Sequence, residues 1–351
     1  MKLWLHLSAS NVESILMSKL QKLKAPFIKV VSVSLVVIAS VVSAAWLFGS
    51  FVRARNGESK VQVQSASSVS NLPDLLALSV GALDQVDIAR MNLLCAQGLP
   101  GAGDLDVDGC LKVLEEMAAR VRTETERYHN RFERNPTEFE NSEGFYKMVI
   151  LAVVLAEDFQ VKYATNKMVT VAGARPDDGF FADAHDVFLH GLLGTRRQGT
   201  CSSLPVLQVA VGRRLGYPLN LVTTKGHLFV RWEDAKERFN VEAAGNGVNR
   251  FTDDYYRHWP LEVSEAEVQA EGYLKSLTPA EELAVFMSIR GMCWRDSRRN
   301  IEATESFQVF NPFFSCLALC FPLSVFVGVS VVSSPWSRRV RRPLPPLEYF
   351  L

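Results

Sequence analysis

The chain lacks an excess of charge of either sign. Lysine plus arginine number 38, and aspartate plus glutamate also number 38. No global field therefore draws it to nucleic acid, and the basic residues do not gather into a long patch among aromatics. It also lacks the pairings that make cysteine structural. The six cysteines are Cys95, Cys110, Cys201, Cys293, Cys316 and Cys320, and no two have C-x-x-C spacing. Cys316 and Cys320 sit in an apolar run without histidines, so neither a zinc site nor a disulfide framework is expected. Gly245-Asn246-Gly247 has no G-x-x-x-x-G-K pattern and reads as a turn, not a phosphate loop. The acidic stretch Asp104 to Gly109 lacks a glutamate at the twelfth position of a calcium loop and reads as a helix-joining turn. Asp183, His185, Asp186 and His190 are metal ligands by type. The two histidines are five apart, however, which puts them on different sides of one helix. No metal and no cofactor is expected.

What the chain does have is length and two long apolar runs. Its 351 residues suffice for one large or two modest domains with real cores. Residues 30–52 carry no charge, and at about 1.5 Å per residue they can cross a ~30 Å hydrocarbon layer. Lys19, Lys22, Lys24 and Lys29 precede this run; Arg53, Arg55 and Lys60 follow it. The bias places residues 1–29 in the cytoplasm and the bulk of the chain outside the cell membrane. A cleaved signal peptide is the rival, but the apolar core is long for that role, so a retained anchor is favoured. Residues 53–72 are Ser- and Gln-rich and read as a tether. A second apolar run, 312–336, is interrupted by Pro312, Pro322 and Pro335 and leads to a basic tail, 337–351, with Arg338, Arg339, Arg341 and Arg342. It reads either as a second span or as the product of an altered C-terminus.

Between the two runs the periodicity is first helical. Val86, Ala89, Leu93 and Ala96 share one helical face, as do Leu111, Leu114, Met117 and Val121. Residues 73–172 are therefore a helical region. In residues 173–262 the pattern changes. A helix starting near Cys201 carries Leu204, Leu207, Val211 and Leu215 on one side and stops at Gly216-Tyr217-Pro218. Strands follow at 219–224, 227–232 and 239–243, the last two joined by a charged turn as in an antiparallel hairpin. Thr278-Pro279-Ala280-Glu281 is a capping box that opens a helix to about Trp294, with a second helix from Asn300 to Phe307. Gly291, Trp294, Ala303 and Phe307 stand at tetratricopeptide-like spacing, so 263–310 reads as a helical hairpin able to meet a protein partner.

The candidate chemistry lies in three short segments: Gly199-Thr200-Cys201, Gly226-His227-Leu228 and Asn240-Val241-Glu242. A thiol at a helix mouth near an imidazole is an activated nucleophile, and a carboxylate behind the imidazole would fix its tautomer. With RRQGTCSSLPVLQVAVGRRLGYPL, KGHLFVRW, FNVEAAGNG and the later Asp254-Tyr255-Tyr256 and Trp259-Pro260, the chain resembles the transglutaminase-like cysteine-histidine superfamily. The likeness is closer to its SirB-type bacterial branch, which couples such a domain to tetratricopeptide helices. The resemblance implies an α+β fold of papain/transglutaminase type, with a Cys-bearing helix on a small antiparallel sheet and helices before and after. It implies Cys201 as nucleophile, His227 as general base and acid, and Glu242 where the family has aspartate. The expected activity is acyl transfer or amide hydrolysis on a protein or peptide substrate, with Gln198 and the Cys201 amide holding the oxyanion. A non-catalytic interaction module on the same fold is the alternative.

Overall fold

The computed structural model describes residues 69–164, 167 and 179–310. The expected spans 30–52 and 312–336 lie outside these residues. Among the described residues, no helix is long and apolar enough to cross a membrane.

After short helical turns at Leu72–Leu76 and Val80–Leu83 come α1 (Ile88–Ala96) and α2 (Val107–Arg134). The acidic stretch before α2 ends in its cap: the Asp106 side chain accepts from the Gly109 amide, satisfying one of the orphan donors of the first turn. Helix α2 buries Leu114, Met117, Val121, Glu124 and Tyr128 at three- and four-residue intervals, Glu124 paired with Arg120, and leaves its other face charged. Helix α3 (Glu143–Val153) starts at the Ser142 cap and is apolar enough to be buried from Met148 to its end.

A two-residue strand β1 (Lys162–Tyr163) pairs parallel with β2 (Gln198–Gly199). Between them are two short helical turns, Ala184–Val187 and Leu189–Leu193. Helix α4 (Leu204–Arg214) follows, then β3 (Leu219–Thr224), β4 (His227–Glu233) and β5 (Arg238–Val241), an antiparallel sheet in that order. The β3–β4 turn is two residues, Lys225-Gly226. It works because Gly226 has φ of 79°, in the region glycine enters without steric cost.

The expected one-sided α4 differs from what is found. Val206, Val209 and Ala210 are buried along with Leu207 and Val211, because the helix packs on α1, α2, β3 and β4 together. The sheet is likewise covered on both faces. Side-chain alternation sends Leu228, Val230 and Trp232 to the large core and Phe229 to a second cluster with Tyr256, Val263 and Tyr273. This second cluster is roofed by α5 (Asp253–His258) and α6 (Glu265–Glu271).

The predicted capping box is present, and α7 (Pro279–Asp296) begins there, with α8 (Asn300–Phe310) returning along it. Their close approach depends on Gly291, where a Cβ would lie 2.5 Å from the Phe307 ring. Helix α7 also packs on α1 and gives Leu283, Val285, Phe286 and Ile289 to the large core. The described chain is thus an α+β arrangement of helices with two small sheets.

Candidate active site

Cys201 lies in the turn that leads into α4. The assigned helix begins at Leu204, yet the first i→i−4 bond, from the Leu204 amide to the Thr200 carbonyl at 3.0 Å, already spans the cysteine. The turn is tied by Ser203, whose Oγ accepts from the Thr200 amide at 3.1 Å and donates to the Asp186 carbonyl at 3.3 Å. Gly199 makes room for it, since a Cβ there would lie 2.4 Å from Ser203 Oγ. Pro205, second in the helix, is tolerated there because its fixed φ suits the first helical turn.

His227 opens β4, and Glu242 follows the last residue of β5. Alternation puts both side chains on the sheet face that also carries Phe229 and Arg231. His227 Nε2 and Glu242 Oε2 are 2.7 Å apart. The other carboxylate oxygen accepts from the Ala244 amide at 2.9 Å, and Tyr256 donates its hydroxyl to Oε2 at 3.1 Å. Glu242 is fully buried, and His227 and Cys201 are each 2% exposed.

The electrostatics follow from this closure. Burial alone would push the His227 imidazole down. The Glu242 carboxylate and the Cys201 side chain beside the ring outweigh it, and the pKa is pushed up to about 10. With Nε2 engaged by the carboxylate, Nδ1 is the ring nitrogen left for the sulfur. Burial raises the Tyr256 hydroxyl, and Glu242 raises it further, so it remains a donor. The remaining described cysteines sit where thiols are inert. Burial pushes Cys95 up to about 12 and Cys110 to about 11, and it raises Cys293 as well.

Two aromatic residues support the imidazole. The Tyr256 ring stacks on Phe229 with centroids 3.7 Å apart, and Trp259 meets the His227 ring edge-on at 4.7 Å. Both come from α5 and the residue after it. That segment is held by Arg231, buried on β4, which donates to Asn240 Oδ1 at 2.8 Å, the Leu274 carbonyl at 3.0 Å and Asp253 Oδ1 at 2.6 Å.

The structure therefore brings Cys201, His227 and Glu242 together. Gln198 stands half-buried on β2, opposite Lys162, and makes no side-chain hydrogen bond among the described residues. Sequence reasoning assigned no role to Tyr256 or Tyr163, although the Tyr256 segment belonged to the resemblance. Tyr163 carries no local signal, because only the β1–β2 pairing brings it near the cysteine.

The histidine pair corrects a premise. His185 and His190 do not share one helix, since the chain turns extended at Phe188 between the two helical turns. Their ring centroids are 4.5 Å apart. All but one of the polar atoms named here are engaged locally: His185 Nδ1 with Asp183 at 2.9 Å, Asp183 with Arg196 at 2.7 Å, and His190 Nε2 with the Gly101 carbonyl at 3.0 Å, while His190 Nδ1 makes no hydrogen bond among the described residues. Among the described residues, no group of three or more ligand-type side chains could hold a metal ion.

A buried Cys-His-Glu arrangement can carry a sulfur nucleophile, a proton relay and a fixed tautomer in one place. A family model described as the transglutaminase-like superfamily matches residues 109–287, half of the chain, and spans all three side chains. Neither the curated proteins nor the solved structures give a match.

Proposed function

The chain belongs to the transglutaminase-like superfamily, and on that premise we propose that it is a cysteine-dependent acyl-transfer enzyme. Cys201 Sγ adds to an amide or ester carbonyl of a protein or peptide. His227, cationic when its pKa is near 10, gives its proton to the leaving amine. The neutral ring then takes a proton from water or an acceptor amine as the acyl-thioester is resolved. Hydrolysis would make the protein a protease or amidase, and an amine acceptor would make it a transglutaminase. Glu242 stabilises the imidazolium and fixes which nitrogen faces the sulfur. The observation that carries the reading is the 2.7 Å bond from His227 to Glu242 with Cys201 beside the same ring.

The test is competitive alkylation with iodoacetamide and mass-spectrometric readout at each cysteine. Cys201 should be labelled faster than Cys95, Cys110 and Cys293, and His227→Ala should slow Cys201 alone. The second reading, a non-catalytic interaction module, draws on the 2% exposure of Cys201. Uniform, slow labelling unaffected by His227→Ala would establish it instead.

We further read the chain as a SirB-type member in which α7 and α8 form a tetratricopeptide-like hairpin for a protein partner. Gly291 against Phe307, and Arg290 and Arg299 at 5.5 and 5.2 Å from the Trp294 ring, support that reading. Anchoring by residues 30–52, with the main domain outside the cytoplasm, rests on their uncharged length and on the lysines before them. A membrane-impermeant maleimide should label Cys201 equally in intact cells and in lysate. Labelling confined to lysate would reverse the topology.

A further inference from the structure

The Tyr163 hydroxyl is buried and has no well-formed hydrogen bond among the described residues. A buried donor left unpaired is a standing cost to the fold that phenylalanine would remove. Its placement is not loose. Strand β1 is clamped to β2 by the Lys162 amide on the Arg197 carbonyl at 3.0 Å and the Ala164 amide on the Gly199 carbonyl at 2.8 Å. That register sets Tyr163 opposite Gly199, two residues before the cysteine. The hydroxyl stands beside both the amide and the sulfur of Cys201, and burial, Cys201 and Glu242 together raise its pKa, so it keeps its proton. The Cys201 amide gives its own hydrogen to no main-chain acceptor. Neither the hydroxyl nor this amide makes a well-formed hydrogen bond, although the two lie close to each other, and both flank the sulfur.

On the reading that Cys201 is an acyl-transfer nucleophile, we propose that the Tyr163 hydroxyl and the Cys201 amide together form the oxyanion hole. The Sγ–C bond forms as the carbonyl π pair moves onto oxygen, and that oxygen accepts hydrogen bonds from Tyr163 Oη–H and Cys201 N–H. No proton leaves Tyr163. When the pair returns, the carbonyl reforms, the bond to the leaving group breaks, and His227 protonates the departing atom. The hydroxyl thus finds a well-formed partner only as charge develops, when stabilisation accelerates the reaction. Tyr163 takes the place that sequence reasoning gave to Gln198.

The experiment compares two probes on the full chain and on Tyr163→Phe. p-Nitrophenyl acetate acylates sulfur through a tetrahedral oxyanion, whereas iodoacetamide alkylates it by displacement without one. Acylation of Cys201 should fall about 100-fold in Tyr163→Phe. Alkylation should fall by no more than a few-fold, far less than acylation, and the variant should melt no lower than the parent. Equal loss with both probes would mean that Tyr163 acts on the sulfur itself and would overturn the assignment. So would unchanged acylation, or a loss confined to Gln198→Ala. If Cys201 of the parent chain alkylates no faster than in His227→Ala, the acyl-transfer reading fails first and the oxyanion hole falls with it.

Discussion

A buried imidazole gains its proton only if something nearby repays the solvation it has lost, and at His227 the Glu242 carboxylate does so. Its folded pKa of about 10 lies above the value near 6.5 expected in the unfolded chain. The folded state therefore holds the extra proton between these values, and the unfolded state does not. Stability from this group is fully present below about pH 6.5 and is lost as pH rises towards 10, at no more than about 1.4 kcal/mol per unit. Urea melts at pH 7 and pH 9.5 should show the parent losing stability, and the loss should shrink in Glu242→Gln. That amide leaves the ring buried without its counter-charge. The His227 NMR titration should then move well below 10, and thiol acylation should drop by about 10³ or more. Glutamate in place of the family's aspartate raises the question of reach. Here both its oxygens are fixed, by the Ala244 amide and by His227 with Tyr256. Shortening the side chain in Glu242→Asp should therefore weaken the relay, not restore a family norm.

At the scale of elements, the site depends on how α5 is held over β4. Arg231 is buried with its guanidinium shared among Asn240, Leu274 and Asp253. Arg231→Ala should cost about 1–3 kcal/mol in a urea melt, since it leaves the buried Asn240 and Leu274 acceptors without their donor, while Arg238 still pairs with Asp253. It should also slow Cys201 labelling, because Tyr256 and Trp259 come from the segment it holds. The α7–α8 contact gives a second check. Gly291→Ala would drive a methyl into the Phe307 ring and cost about 1–3 kcal/mol, and adding Phe307→Leu should recover part of that loss. Elements of this kind were legible in proportion to their local pattern. The strand-like runs 219–224, 227–232 and 239–243, the last two joined by a charged turn, located the three longer strands within about two residues, and the Thr278 capping box located the start of α7. Strands β1 and β2 were not legible. Each is two residues long and exists only because Lys162 meets Gln198 and Tyr163 meets Gly199 across a long stretch of chain. The break at Phe188 was equally hidden, since nothing in the helical periodicity of 184–193 marks it.

At the scale of the molecule, the question is whether the C-terminal hairpin is an appendage or a part of the core that frames the site. The periodicity of 279–307 reads as a helical hairpin that needs neighbours to bury both its faces, but a helix-period pattern does not say what those neighbours are. In the fold, α7 lies against α1 and shares its core. It is also joined to the cysteine-bearing helix through charge. Arg213, in the last turn of α4, donates to the Leu219 carbonyl at 2.9 Å and grips Glu282 with both terminal nitrogens, at 2.7 and 3.1 Å. Burial raises the Glu282 pKa, and Arg213 works against that rise, so the carboxyl depends on this partner for its charge. A chain ending before Pro279 would expose the apolar faces that Val285, Phe286 and Ile289 cover and would leave Arg213 without its carboxylate. Such a truncation should lose its cooperative melt, bind a hydrophobic dye and lose selective labelling of Cys201. The milder Glu282→Gln should keep the fold but lower its melting midpoint, because the neutral amide cannot answer the guanidinium. If the truncated chain instead melted as sharply as the parent and kept a fast-reacting Cys201, the hairpin would be a separable partner-binding unit, and the site would be complete without it.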